Sequence, residues 1–151
     1  MYINLEEKDS LAILKNDYLG HLSYIYQSRP FVVPITYFYD AERNVIICYS
    51  GEGHKMNAMR KNNEVAFNIV DVDGLTKWKS VMAHGKFEQL FGPDAKAYLH
   101  DFSIGIKELI IKKELKELSF ISEFSSKAVN ENLPMIFIIK IDEITGKMRK
   151  D

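Results

Sequence analysis

Val45-Ile46-Ile47-Cys48-Tyr49-Ser50-Gly51-Glu52-Gly53-His54-Lys55-Met56 is the stretch that decides how this chain folds. Its first residues form an apolar run of strand character. Ser50 ends the run, Gly51-Glu52-Gly53 makes a turn, and His54-Lys55 opens a helical pattern. That order builds a seat for a phosphate. Free backbone N–H groups and the positive end of the helix dipole favour an anion. Glycines let the backbone approach closely, and a nearby Lys supplies charge. Such a junction is, on its own, more often a plain strand–turn–helix connection, and Glu52 places a negative charge beside the seat.

Working toward the N-terminus, residues 31–39 read as a strand and Asp40-Ala41-Glu42-Arg43-Asn44 as the turn joining it to 45–50. Residues 20–26 are an earlier strand rich in aromatic and β-branched side chains, and Gln27-Ser28-Arg29-Pro30 is its turn. Short strands on short turns imply an antiparallel meander. Pro34 conflicts with its strand, because proline cannot donate to a ladder; it belongs at an edge, a bulge or a ligand. Before the meander, Asn4-Leu5-Glu6-Glu7 reads as a helix start, with Asn4 as cap and Glu7 in the capping-box position, and the helix ends near Asn16.

Toward the C-terminus, a helix over 54–61 turns Met56 and Met59 inward and stops at Asn62-Asn63. Residues 65–70 are a fourth strand, 71–77 a polar loop around Gly74, and 78–90 a fifth strand bent at Gly85. Two or three helices are expected over 93–130, with Pro93 at a first helical position. Residues 135–141 are the sixth strand, followed by a short basic tail, Lys147-Met148-Arg149-Lys150. Six turn-linked strands with helices inserted late predict a mainly β fold, a small closed barrel with peripheral helices, since closure removes exposed edges. No linker or repeat divides the chain, so residues 1–151 are expected to form a single domain.

Composition sets the outer bounds. With 46% hydrophobic and 27% charged residues, the 151-residue chain has an ordinary soluble, globular balance. No apolar run reaches the roughly 20 residues that span a bilayer, and no secretory signal is visible at the start, so no membrane partner is expected. Cys48 is the only cysteine, which forbids an internal disulfide and favours a cytoplasmic home; it reads as a small core hydrophobe. A net charge of −1 gives no general attraction to nucleic acid. His21, His54, His84 and His100 lack the close spacing of a zinc set, so no metal is expected. Asp71 and Asp73 read as a solvated turn, and 107–116 as a solvated helix face with an apolar stripe.

Several segments in order carry a resemblance: Gly20-His21-Leu22-Ser23, Arg29-Pro30-Phe31-Val32-Val33-Pro34-Ile35-Thr36-Tyr37, the seat from Tyr49 to Met56, Asn63-Glu64-Val65-Ala66-Phe67, Trp78-Lys79-Ser80-Val81-Met82-Ala83-His84-Gly85-Lys86, and Ile141-Asp142-Glu143-Ile144-Thr145-Gly146-Lys147. Together they resemble the flavin-binding split-barrel proteins related to pyridoxamine 5′-phosphate oxidase, nearest the branch that includes nitroimidazole-resistance (Nim-like) proteins. The resemblance implies a six-stranded, Greek-key-like antiparallel split barrel holding flavin mononucleotide (FMN) at a homodimer interface, with both protomers contributing. It places the backbone of Val33, Pro34, Ile35 and Thr36 along the isoalloxazine edge. It gives the phosphate end to Tyr49, Ser50, His54 and Lys55, and completes the pocket with Trp78, Ser80 and Val81. Tyr49 departs from the His common in relatives.

The implied activity is an FMN-dependent oxidoreductase reducing a small, perhaps nitroaromatic, molecule, with no catalytic side chain assigned. A pyridoxamine phosphate oxidase role is less favoured, since no Arg and Tyr set is built for a second phosphate. A non-enzymatic flavin-binding or sensing protein is one alternative. A barrel that holds haem or a deazaflavin is another, and for haem the donors would be His21, His54 or His84.

Overall fold

The computed structural model describes residues 1–114 and 135–151. Its elements are β1 (Tyr2–Asn4), α1 (Glu7–Lys15), β2 (Leu19–Tyr26), β3 (Arg29–Asp40), β4 (Val45–Ser50), α2 (His54–Lys61), β5 (Glu64–Gly74), β6 (Lys77–Leu90), α3 (Gly92–Glu114) and β7 (Met135–Lys150). The strands form one antiparallel sheet in the order β1-β7-β4-β3-β2-β5-β6, and a further β6–β7 pairing closes it into a barrel of β2 to β7. Strands β2, β3 and β4 follow one another as hairpins, while β5 returns to lie beside β2. The order β5-β2-β3-β4 is a Greek key, and α2 lies within its long connection.

Turn chemistry fixes the first two hairpins. Gln27 and Ser28 both take positive φ, the pair of left-handed conformations that a two-residue hairpin turn requires, and Asn44 takes the same region ahead of β4. In β4 the side chains alternate between two cores. Ile46 and Cys48 join the barrel interior with Leu22, Tyr37, Phe67 and Phe137. Val45 and Ile47 join Phe102, Ile106 and Ile110 of α3 in a second cluster. Because α3 covers its outer face, β4 is buried on both sides and reads as a continuous apolar run. The barrel interior is held together by Tyr37, whose hydroxyl donates to the carbonyl of Leu14 at 2.6 Å and so ties α1 to β3.

Several expectations are corrected. Asn4 does not cap α1; it belongs to β1, and the residue preceding the helix is Glu6, without a side-chain cap bond. The short β1 forms because the tail of β7 offers it an edge: Tyr2 pairs Arg149 and Asn4 pairs Lys147. The basic residues Lys147 to Lys150 are therefore strand, not a loose tail. The polar loop over 71–77 shrinks to a tight turn, since the ladder continues through Asp71↔Lys79 and Val72↔Trp78. Opposite charges facing each other across that ladder favour the pairing. The bend at Gly85 is present as a register shift between His84 and Gly85 against β7. Of the helices expected over 93–130, the structure describes one, α3; residues 115–130 lie outside the described residues.

Candidate functional site

The turn after β4 delivers the start of α2 to the side of the barrel next to β2 and β3. Gly53 precedes the helix with no side-chain cap bond, and the N–H of Asn57 donates to its carbonyl at 3.1 Å. The first N–H groups of α2 thus have no partner within the helix. A Cβ on Gly51 or Gly53 would meet nothing within 4 Å, so packing inside this chain does not demand either glycine. Lys55 is half-buried and forms no ion pair among the described residues. Its charge is felt by the Cys48 thiol, although burial dominates there and pushes that thiol up. The Ser50 hydroxyl turns back to donate to the Gly51 carbonyl at 2.9 Å.

Glu52, the acid that would oppose an anion, is engaged. Arg60, one turn along α2, donates to its two oxygens at 2.7 and 3.0 Å. That bond to Arg60 holds the Glu52 carboxyl below the usual range. The same guanidinium donates through Nε to Gln89 of β6 at 2.9 Å, tying the turn to the barrel.

His54 sits in an aromatic corner. Its Nδ1 lies 3.1 Å from the Tyr24 hydroxyl, and its ring centroid is 4.8 Å from Phe31 and 4.9 Å from Tyr26. When Tyr24 donates to Nδ1, a neutral His54 carries its proton on Nε2 and can donate it to a second acceptor.

From this corner β3 runs past a gap. Only Tyr37 to Asp40 pair with β4, so residues 29–36 have β2 alone as a neighbouring strand among the described residues. Pro34 lies in this open half, opposite His21. A residue without an N–H is tolerated there because one edge of the strand carries no ladder. Ile35 and Val81 bury their side chains in the barrel; a ligand would meet them only through the backbone. Pro34 and Val33 are more open, and Thr36 and Ser80 are half-buried.

Ser80 and Val81 are joined by a residue the sequence reading did not single out. Asn68 Nδ2 donates to Ser80 Oγ at 3.1 Å and to the Val81 carbonyl at 2.9 Å. The signal available was a lone amide inside the apolar run Val65-Ala66-Phe67-Asn68-Ile69-Val70. Trp78, further along β6, leans on Tyr2 with ring centroids 6.0 Å apart, beside a cleft of ≈ 400 Å³ that Lys79 and Arg149 also line.

The predicted residues therefore fall into separate groups within one chain. Ser50, His54 and Lys55 gather at the start of α2, with Val33 to Thr36 on the adjoining strand. Trp78, Ser80 and Val81 lie on β6, separated from β3 by β2 and β5. Tyr49 stands apart, since its ring packs edge-on against Phe102 of α3 with centroids 5.5 Å apart. His21, His54 and His84 are all exposed, on β2, α2 and β6 respectively.

The model of the family described as pyridoxamine 5′-phosphate oxidase matches residues 6–148. A curated relative, an uncharacterized protein (RA0666) of Rhizobium meliloti strain 1021, is 26% identical over 85% of this chain and 83% of its own. Among solved structures, a FAD-binding protein from Mesorhizobium loti superposes with a TM-score of 0.76 at 21% identity, covering 99% of both chains. A candidate 5-nitroimidazole antibiotic resistance protein from Bacteroides thetaiotaomicron superposes with a TM-score of 0.71 at 22% identity, over 100% of this chain and 91% of that one. These structures share the split-barrel fold.

Proposed function

The chain belongs to the pyridoxamine 5′-phosphate oxidase family, and on that premise we propose that it is a flavoprotein that binds FMN and uses it to reduce a small molecule. The observation that carries the reading is the charge arrangement at the start of α2: Lys55 has no ion pair among the described residues, while Glu52 is already neutralised by Arg60. An anion arriving there meets unbonded N–H groups, a spare ammonium and no free carboxylate from that turn. The donor set fits a phosphate monoester.

From that seat the open half of β3 extends from Phe31 to Thr36, a length of roughly 17 Å at strand spacing. That leaves room to lay a sugar-alcohol chain and a planar ring along an unpaired backbone edge. Lys55 and His54 would hold the phosphate, and the backbone of Val33 to Thr36 would run beside the ring. A bound flavin supplies the hydride or electron transfer, and the protein binds and orients it. The mixed aromatic corner of Tyr24, Tyr26 and Phe31 limits water access to the seat.

The same reading includes a homodimer. Leu19, Val32, Val70, Val72 and Met82 are exposed on the outward face of β2, β3, β5 and β6. A contiguous apolar face of that kind is a site for a partner. A second copy covering it would bring its own Ser80 and Val81 toward β3, uniting groups that one chain keeps apart. The likeness to the Bacteroides protein supports a nitroaromatic substrate, and a single buried cysteine suits a reducing cytoplasm.

The test is to purify the protein without cofactor, add FMN, and pass the mixture through gel filtration with light scattering. Co-elution of a flavin spectrum with a dimer supports the reading, and FAD run in parallel decides which flavin is preferred. A colourless protein sinks it. Bound FMN that no nitroaromatic reoxidises after reduction would leave a flavin-binding protein without this activity.

A further inference from the structure

Hydrogen-bond bookkeeping at Asn68 yields an inference that rests on the flavin reading and sharpens it. The Val81 carbonyl can only accept, so the Asn68 group 2.9 Å from it must be the NH₂. The contact fixes which way the amide faces. The same nitrogen lies 3.1 Å from Ser80 Oγ, and an amide nitrogen has no lone pair to offer. Ser80 Oγ therefore accepts, and its own proton is left to donate elsewhere. Asn68 Oδ1 accepts no hydrogen bond among the described residues, and the residue is half-buried on the outward face of β5. A fixed acceptor thus stands beside a fixed donor, both presented to whatever covers that face.

We propose that Asn68 and Ser80 read the imide edge of the isoalloxazine ring, with Asn68 as a specificity-determining residue. That edge offers an N–H donor flanked by carbonyl acceptors. Asn68 Oδ1 takes the N–H, and the Ser80 hydroxyl donates to a neighbouring carbonyl. Asn68 also positions Ser80, because its NH₂ occupies the hydroxyl's acceptor side and orients the proton outward. A buried or half-buried polar pair of this kind discriminates strongly against a ligand that leaves one partner unmatched. Haem presents no such edge, so the pair selects flavin over it.

The experiment titrates wild-type protein and the Asn68→Leu and Ser80→Ala variants with FMN and with N3-methyl-FMN, following flavin fluorescence. Methylation removes the one N–H that Asn68 would accept. The expected result is a wild-type preference for FMN of about tenfold or more. Asn68→Leu should bind FMN about tenfold more weakly and treat the two ligands alike, whereas Ser80→Ala should weaken both while keeping the preference. Equal binding of the two ligands by wild type overturns the inference without touching the FMN reading, as does a preference that survives in Asn68→Leu. Should wild type bind neither ligand, the FMN reading fails and this inference falls with it. The ligand comparison on wild type needs no variant to fold, and circular dichroism checks the variants.

Discussion

The carboxylate of Glu52 lies across both terminal nitrogens of Arg60, at 2.7 and 3.0 Å, so the acid beside the anion seat is spoken for by a residue of the same helix. Breaking this clamp from the arginine side should release a negative charge at the seat. Arg60→Ala is expected to weaken FMN binding several-fold, and adding Glu52→Gln to it should restore most of the loss. Glu52→Gln alone should be nearly neutral or slightly tightening. A double-mutant cycle on FMN affinity checks this. Additive losses in the double variant would mean that Glu52 is remote from the phosphate.

Lys55 should act on the phosphate and on nothing else in the ligand. Lys55→Ala is expected to lower FMN affinity about tenfold, in keeping with the loss of one charge-assisted contact of about 1.5–3 kcal/mol. Riboflavin, which lacks the phosphate, should bind wild type and variant alike. Thermal unfolding of the apoprotein should be almost unmoved, because the side chain has no ion pair within the described chain.

Gly85 is required by the backbone of the neighbouring strand. A Cβ there would overlap the Lys140 carbonyl oxygen and lie 2.9 Å from Ile139 Cγ2. The strand cannot yield easily, since the β6–β7 ladder runs on either side of the bulge. Gly85→Ala should destabilise the fold by about 1–3 kcal/mol, read as a drop in the urea midpoint. An unchanged midpoint would show that the β6–β7 junction is slack.

Alkaline pH should destabilise the fold in two steps. Burial pushes the Cys48 thiol and the Tyr37 hydroxyl well above their ordinary values. In the unfolded chain they ionise near about 8.5 and about 10. A folded value raised above the unfolded one gives stability that is complete below the unfolded value and declines as pH rises past it. Each group then contributes a slope of about −1.4 kcal/mol per pH unit. Urea midpoints measured from pH 8 to 11 should fall first through Cys48 and more steeply once Tyr37 joins. Cys48→Ala should abolish the first decline while leaving the second.

The sequence by itself determined the local grammar. The span of β4, the start of α2 and the bend at Gly85 follow from periodicity, a glycine turn and one glycine in a strand, all of which act over a few residues. The antiparallel meander follows from turn lengths, and with the family likeness so does the split barrel. What depended on partners distant in the chain was not legible. β1 exists only because the far end of β7 offers it an edge, and the Asp71–Lys77 segment becomes strand only because β6 pairs back onto it. Pro34 marked itself as a break, but only the tertiary structure shows that the break is the unpaired half of β3. The site divides in the same way. Ser50, His54 and Lys55 were adjacent in sequence and stay adjacent in space. Arg60 closing on Glu52, Asn68 closing on Ser80 and Val81, and Tyr49 turning to Phe102 were decided by strand register and side-chain direction. Those are properties of the closed barrel, because an alternation of faces says which residues share a surface but not which strand will lie beside them.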